Sequence, residues 1–293
     1  MTVRIATMGM AGCSGCHIAL LDTGVKLLEL LKDVDLVYSY PVVDAKNPIP
    51  PDIDVALIEG SIRTDHDKEM AKAMRRQAKF VIAFGACSAH GGVNGLANTF
   101  DAQEGVEYVY HKTILMAQKQ VPSEHVPQIL PEDLRLSDVV KVDFIIPGCP
   151  PHPDEIAQII IKLLAGETPE LSSKSICDEC PLERLTEAPK QLRRTHEIPE
   201  PNKCLLSQGF LCMGPATRAG CGAECTQRLM PCTGCRGPSD TVWDQGIAML
   251  DALAAMEEDE ISNFKLPRLA GTFARYTYAS SKLDNLRKGV KTK

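Results

Sequence analysis

Cysteine is the residue type in this chain whose number and spacing most clearly permit chemistry: there are twelve in 293 residues. Four stand apart in the first half. Cys13 and Cys16 form a C-x-x-C pair in GMAGCSGCHIALLD, Cys87 lies in GACSAHGG, and Cys149 lies in PGCPPHPDE. The other eight crowd into residues 177 to 235, spaced C-x2-C-x23-C-x7-C-x8-C-x3-C-x6-C-x2-C. Short C-x2-C turns joined to distant segments supply four soft, anionic ligands. That is the donor set of an iron–sulfur cluster, and also of a structural zinc ion. Twelve thiols make three such sites.

Other chemistries explain less of the set. A thioredoxin-like redox pair suits Cys13 and Cys16 at a strand-to-helix turn but leaves Cys87 and Cys149 without a task. A disulfide framework is disfavoured in a reducing compartment. Three zinc sites stay open on spacing alone, although two sites sharing one short segment speak against them. A phosphate or flavin role for the first loop lacks any G-x-x-x-x-G-K-[ST] or G-x-G-x-x-G signature. There is no nucleophile elbow, H-E-x-x-H helix or paired-carboxylate pattern, so the chain reads as a carrier of electrons with no substrate chemistry of its own. His17, His90 and His152 flank the cysteine motifs and read as packing or hydrogen-bonding residues. Glu59, in LIEGS, reads first as a capping or solvated carboxylate, with proton handling beside a cluster as the sharper alternative.

The elements that must position these thiols alternate in type over the first 165 residues. VRIATM (3–8), VDLVYSY (34–40), IDVALIEG (53–60), FVIAFGAC (80–87) and VDFIIPGC (142–149) read as buried strands. HIALLDTGVKLLELLKD (17–33), DHDKEMAKAMRRQAK (65–79) and PDEIAQIIIKLLAG (153–166) carry helical periods. Apolar strands separated by helices predict a parallel sheet of βαβ units, of flavodoxin-like type. Three strands run into cysteine loops, and ligands of open α/β sheets sit at the carboxyl ends of the strands. From about residue 170 prolines and glycines multiply and strand periodicity stops, so this segment should fold around inorganic cross-links. The expected division is a flavodoxin-like domain over 1–168 and an iron–sulfur domain over 169–293. The second domain holds two sites, a helix at 244–259 packing through Ile247, Leu250, Leu253 and Met256, and a basic tail. From Lys265 onward there are eight Lys and Arg against one acidic residue, which reads as a solvated or subunit-covering segment.

Composition excludes several classes. A net charge of −6 and 5% aromatic content argue against non-specific nucleic-acid binding. No apolar run approaches the length needed to span a bilayer, and the N-terminus lacks a basic region followed by an apolar signal core. A cytoplasmic, soluble protein with no membrane partner is the expectation.

Taken together, CSGC, GACSAHGG, PGCPPHPDEI, GFLCMGPATRAGCGAEC and MPCTGCRGP resemble the small, electron-transferring subunit of nickel–iron hydrogenases, in its cytoplasmic group. The resemblance covers roughly residues 5 to 240. It implies that Cys13, Cys16, Cys87 and Cys149 hold a proximal 4Fe-4S cluster facing the nickel–iron partner. It further implies that Cys177, Cys180, Cys204 and Cys212 hold a distal cluster, with Cys177 at a place where relatives carry histidine. Cys221, Cys232 and Cys235 match the three medial ligands, and the additional Cys225 implies a medial 4Fe-4S cube of low potential. The motifs that hold nickel and iron are missing, so the resemblance implies that hydrogen is split in a large subunit. Electrons would then pass through three 4Fe-4S clusters to an iron–sulfur acceptor subunit in a multi-subunit complex. Among the cytoplasmic types, a full cysteine set at the proximal site points to the hydrogenase that does not reduce the deazaflavin coenzyme and feeds heterodisulfide reductase. The deazaflavin-reducing hydrogenase and the sulfhydrogenase are the alternatives. A quinone-oxidoreductase type subunit would not need the eight-cysteine extension, and a zinc-stapled interaction module is the remaining different class.

Overall fold

The computed structural model describes residues 2–44, 48–113, 120–186, 189, 191–255 and 269–282. The chain divides into two compact units, Met1–Ala157 with Tyr278–Ser280, and Gln158–Thr277 with Ser281–Lys293.

In the first unit the strands are β1 (Val3–Gly9), β2 (Val34–Ser39), β3 (Ile53–Glu59), β4 (Ile62–Thr64), β5 (Ala78–Phe84), β6 (Ile129–Leu134) and β7 (Phe144–Ile146). The helices are α1 (Gly15–Leu21), α2 (Val25–Leu30), α3 (Asp65–Gln77), α4 (Ala86–His90), α5 (Ala102–Glu107) and α6 (Pro153–Leu164), the last of which contains the division between the units. The five-stranded sheet runs β2-β1-β3-β5-β7 with every pair parallel. Counting only these five strands, the order is the flavodoxin order 2-1-3-4-5. Met8 stands opposite Ile58, Ile58 opposite Ala83, and Phe84 opposite Ile146. The central strands are apolar on both faces because both faces are covered: Ala6, Met8, Ala56, Ile58, Val81 and Ala83 are buried on one face and Ile5, Val55, Leu57, Ile82 and Phe84 on the other. Helix α3 starts at a capping box, in which the Asp67 N–H donates to Thr64 Oγ1 (3.1 Å) and the Thr64 N–H donates to Asp67 Oδ2 (2.8 Å).

Two features depart from the sequence expectation. The helical period at 17–33 breaks into α1 and α2, because Gly24 takes φ +62° and the Thr23 hydroxyl donates to the Leu20 carbonyl at 2.7 Å. A short antiparallel pair, β4 with β6, lies outside the main sheet and pairs Ile62 with Leu134 and Thr64 with Ile129. With only three residues in β4, periodicity gives no signal there.

The second unit is largely irregular. It packs Ile176, Leu205, Phe210, Met213, Met249 and Phe273 into its own core. Its helices are α7 (Glu224–Gln227), α8 (Gln245–Ala254) and α9 (Leu269–Phe273). Helix α8 begins where the Ile247 N–H donates to Asp244 Oδ1 (3.0 Å), and it buries Met249 fully and Leu250 and Leu253 in part. Ile247 is half-buried, while Met256 and the rest of the expected helix lie outside the described residues, as does most of the basic tail. Among the described residues no helix is long and apolar enough to cross a membrane.

Candidate metal centres

In the first unit the thiols come from three loops at the carboxyl edge of the sheet. Cys13 follows β1, Cys16 sits in the first turn of α1, Cys87 lies in α4 just after β5, and Cys149 follows β7. Backbone bonds tie these loops together. The Gly85 N–H donates to the Ile146 carbonyl (2.8 Å) and the Ala86 N–H to the Gly148 carbonyl (2.7 Å), which joins the Cys87 turn to the Cys149 loop. The Cys13 loop is held by paired bonds between Ala11 and Ser61 (3.1 and 2.8 Å) and by Asn94 Nδ2 donating to the Ala11 carbonyl (2.7 Å).

Two glycines keep space at the sulfurs. Gly85 adopts φ 86°, ψ 168°, a region open essentially to glycine alone, and a Cβ there would come within 2.2 Å of Cys16 Sγ. A Cβ on Gly92 would come within 2.4 Å of Cys87 Sγ. Burial pushes the Cys16 thiol up, and the charges of Glu59, Cys87, Cys149 and Cys13 add to that. Cys87 is pushed up to about 12, first by burial and then by Cys149, Cys13, Asp133 and Glu59. Cys149 is raised by burial and by Cys13. These effects place all four thiols within reach of one another's charge.

Beneath them lies a buried polar chain. Glu59 (2% exposed) accepts from the His17 N–H at 3.0 Å and from Nδ1 of the same ring at 2.9 Å, while His17 Nε2 meets Thr7 Oγ1 at 2.9 Å and Thr7 donates to Ser39 Oγ at 2.8 Å. Glu59 is therefore buried, so the solvated reading fails; the apolar sheet end around it forces the carboxylate to find donors. His17 is hydrogen-bonded, as expected. His90 ends α4, and His152 Nδ1 accepts from the Asp154 N–H at 3.3 Å.

In the second unit Cys177, Cys180, Cys204 and Cys212 line one cavity of about 270 Å³, together with Arg184 and Thr226. Cys212 is pushed up to about 11 by burial, against the pull of N–H donors from Gly214 and Cys232, with Cys177 and Cys204 raising it further. The Cys232 N–H reaches Cys212 Sγ at 3.3 Å. Burial raises Cys177, while the charge of Arg184 opposes this. Cys180 Sγ lies 3.1 Å from Thr226 Oγ1. The remaining four fall into two pairs, Cys221 with Cys225 and Cys232 with Cys235, and Cys232 also feels Cys212 of the cavity. Burial and then Cys221 raise Cys225, whereas burial, Cys212 and Cys235 raise Cys232, opposed by donors from Gly234 and Thr217.

A single zinc ion draws sulfurs to about 2.3 Å. Among the described residues no three Cys, His, Asp or Glu side chains gather closely enough for one ion. The chemistry of the donors and the 270 Å³ cavity that four of them line fit a thiolate-bound cluster, and Gly85 and Gly92 let the Cys16 and Cys87 sulfurs lie against the backbone. Sequence reading missed Arg184, Thr217, Thr226 and Asp133. Thr226 stands 46 residues from Cys180 and Asp133 stands 72 from Ser61, so only the fold brings these pairs together.

Residues 13–163 match the family model described as "NADH ubiquinone oxidoreductase, 20 Kd subunit", a span that includes all four thiols of the first unit. A subunit of the vhu F420-non-reducing hydrogenase of Methanocaldococcus jannaschii is 42% identical over 278 residues, covering 94% of this chain and 95% of that protein. The iron-sulfur subunit of the F420-non-reducing hydrogenase of Archaeoglobus profundus is 33% identical, covering 89% and 90%. Among solved structures, an NAD+-reducing [NiFe]-hydrogenase in the H2-reduced state matches at 32% identity and a TM-score of 0.56, over 58% of this chain and 95% of that one. With its five parallel strands, its cysteine loops and these relatives, the chain belongs to the NADH ubiquinone oxidoreductase 20 Kd subunit family, in the branch of hydrogenase small subunits.

Proposed function

We propose that this chain is the electron-carrying small subunit of a nickel–iron hydrogenase and that its twelve cysteines hold three 4Fe-4S clusters. In this reading Cys13, Cys16, Cys87 and Cys149 hold the proximal cluster. Cys221, Cys225, Cys232 and Cys235 hold the medial cluster, and Cys177, Cys180, Cys204 and Cys212 the distal one. Hydrogen is split in a large-subunit partner, and an iron–sulfur subunit linked to heterodisulfide reductase takes the electrons. One observation carries the reading: four thiols from three separate loops lie within one another's charge at the carboxyl edge of a parallel sheet.

When bound, each cluster stores and releases one electron. The residues of the chain hold and tune it. Burial raises the free thiols of Cys16, Cys87, Cys212 and Cys232, so ligation must displace their protons and is favoured as the pH rises. N–H groups of Gly214, Cys232 and Gly234 donate to sulfur and favour added negative charge there. Beside Cys16, the α1–α2 segment exposes Ile18 (56%), Leu21 (47%), Val25 (72%) and Leu28 (64%), an apolar face suited to the large subunit. A reducing cytoplasm would keep all twelve thiols available.

The test is hydrogen-driven reduction of an electron-accepting dye by the anaerobic complex. Cys87→Ala should block it while leaving the iron of the second unit in place. Dye reduction at the wild-type rate in a Cys87→Ala complex lacking proximal iron would overturn the proposed route.

A further inference from the structure

Beside the cavity lined by Cys177, Cys180, Cys204 and Cys212 lies a cation that the ligand set does not explain. Arg184 lines that cavity together with Cys177, and its charge reaches the Cys177 sulfur. Among the described residues, three other cations of this unit are engaged elsewhere. Arg228, whose charge reaches Cys225, is paired with Glu224. Lys203 pairs with Glu200 (2.5 Å), and the Arg193 guanidinium lies over the Phe210 ring, 4.6 Å from its centroid, and pairs with Glu197 (3.2 Å). Asp178 also feels the charge of Arg184, but its carboxylate is taken up by the Ser175 N–H and hydroxyl, each at 2.8 Å.

We propose that Arg184, in the wall of the cavity that Cys177, Cys180, Cys204 and Cys212 line, sets the reduction potential of that site by stabilising the negative charge that the site gains when it takes up an electron. The inference rests on the cluster reading given above. Four thiolates around an iron–sulfur core make an anion, and one-electron reduction adds a further negative charge with no proton required. A guanidinium in the wall of that cavity binds the reduced form more tightly than the oxidised form, so it raises the potential. The electron comes from the preceding cluster and leaves to the acceptor iron–sulfur subunit. Thr226 does not share this role: its Oγ1 accepts from Cys180 Sγ at 3.1 Å and donates its own proton to the Ala223 carbonyl at 3.0 Å. Arg184 is thereby a positioning and tuning residue for the last step of electron transfer, and it makes this site the more favourable terminus of the chain.

The experiment is a potentiometric titration of the anaerobic hydrogenase complex, followed by electron paramagnetic resonance, in wild type, Arg184→Gln and Arg184→Lys. Iron and zinc are measured on each sample. With full iron content, Arg184→Gln should lower the ratio of reduced to oxidised distal cluster about tenfold at the wild-type midpoint, a shift of about 59 mV. Arg184→Lys, which keeps the charge and loses the planar fork, should fall between the two. An unmoved distal potential in a fully loaded Arg184→Gln complex overturns the inference and leaves the cluster reading standing. If Arg184→Gln loses distal iron, a second uncharged variant, Arg184→Met, decides, and a potential equal to wild type in a fully loaded Arg184→Met complex overturns the role of Arg184. Zinc in place of iron throughout would sink the cluster reading, and the inference with it.

Discussion

Glu59 and His17 are joined twice: one carboxylate oxygen, Oε2, accepts both the backbone N–H of His17 (3.0 Å) and its ring Nδ1 (2.9 Å). The contact ties the end of β3 to the first turn of α1, one residue beyond Cys16. It also places a buried carboxylate where its charge reaches the Cys16 sulfur. A group so buried is costly to leave unpaired, at about 1–3 kcal/mol for each donor or acceptor stranded.

Glu59→Gln keeps an oxygen for both donors and removes the charge. We expect it to retain the proximal cluster while shifting its potential upward, because one negative charge beside the sulfurs is gone. Glu59→Ala strands both His17 donors and should lose proximal iron selectively. Potentiometric titration with iron analysis checks both variants, and an unshifted proximal potential in a fully loaded Glu59→Gln protein would show that the charge is not felt.

Gly85→Ala tests the space at the sulfur. The substitution places a Cβ 2.2 Å from Cys16 Sγ in a backbone region that costs a side chain about 1–3 kcal/mol. The expected outcome is a protein that keeps the iron of its second unit and fails to load the first. Normal loading of the proximal site would mean that the Cys16 loop can yield.

Asp133 gives a pH signature. It is 1% exposed, accepts from the Ser61 hydroxyl at 2.7 Å, and its Oδ2 has no hydrogen-bond partner among the described residues. Burial raises its carboxyl to about 6, with Ser61 and Arg63 pulling down and Asp67 pushing up. An unfolded Asp titrates near 3.9, so between about pH 4 and 6 the folded chain binds a proton that the unfolded chain has released. This contribution to stability is full below about pH 4 and is lost as the pH rises through about 6, by an upper bound of about 3 kcal/mol. Asp133→Asn should flatten the dependence over that window and stabilise the protein at neutral pH. Anaerobic unfolding at about pH 5 and pH 7 decides the matter, and equal slopes in variant and wild type would contradict it.

Cys225→Ser addresses the medial set. Loss or conversion of one cluster is expected with the proximal cluster intact, and three unchanged resonance signals would remove Cys225 from the ligands.

The parallel sheet was legible because its strands are buried on both faces and so read as continuous Val- and Ile-rich runs, as in IDVALIEG and FVIAFGAC. The gathering of Cys13, Cys16, Cys87 and Cys149 followed from topology, since parallel strands bring their carboxyl ends to one edge. What stayed hidden lay in long-range polar contacts. Glu59 ends a strand like many solvated carboxylates, and only the fold brings it to His17, 42 residues away. Asp133 and Thr226 reach their partners across 72 and 46 residues for the same reason. The break between α1 and α2 turns on the backbone of one glycine, which helical periodicity does not register.

The most direct measurement of the central claim is metal and sulfide analysis of the anaerobically purified chain in its complex, corrected for the iron of its partners. Three 4Fe-4S clusters require about twelve iron and twelve acid-labile sulfide atoms per chain, a brown colour and negligible zinc. A colourless chain holding about three zinc ions and no sulfide would contradict it.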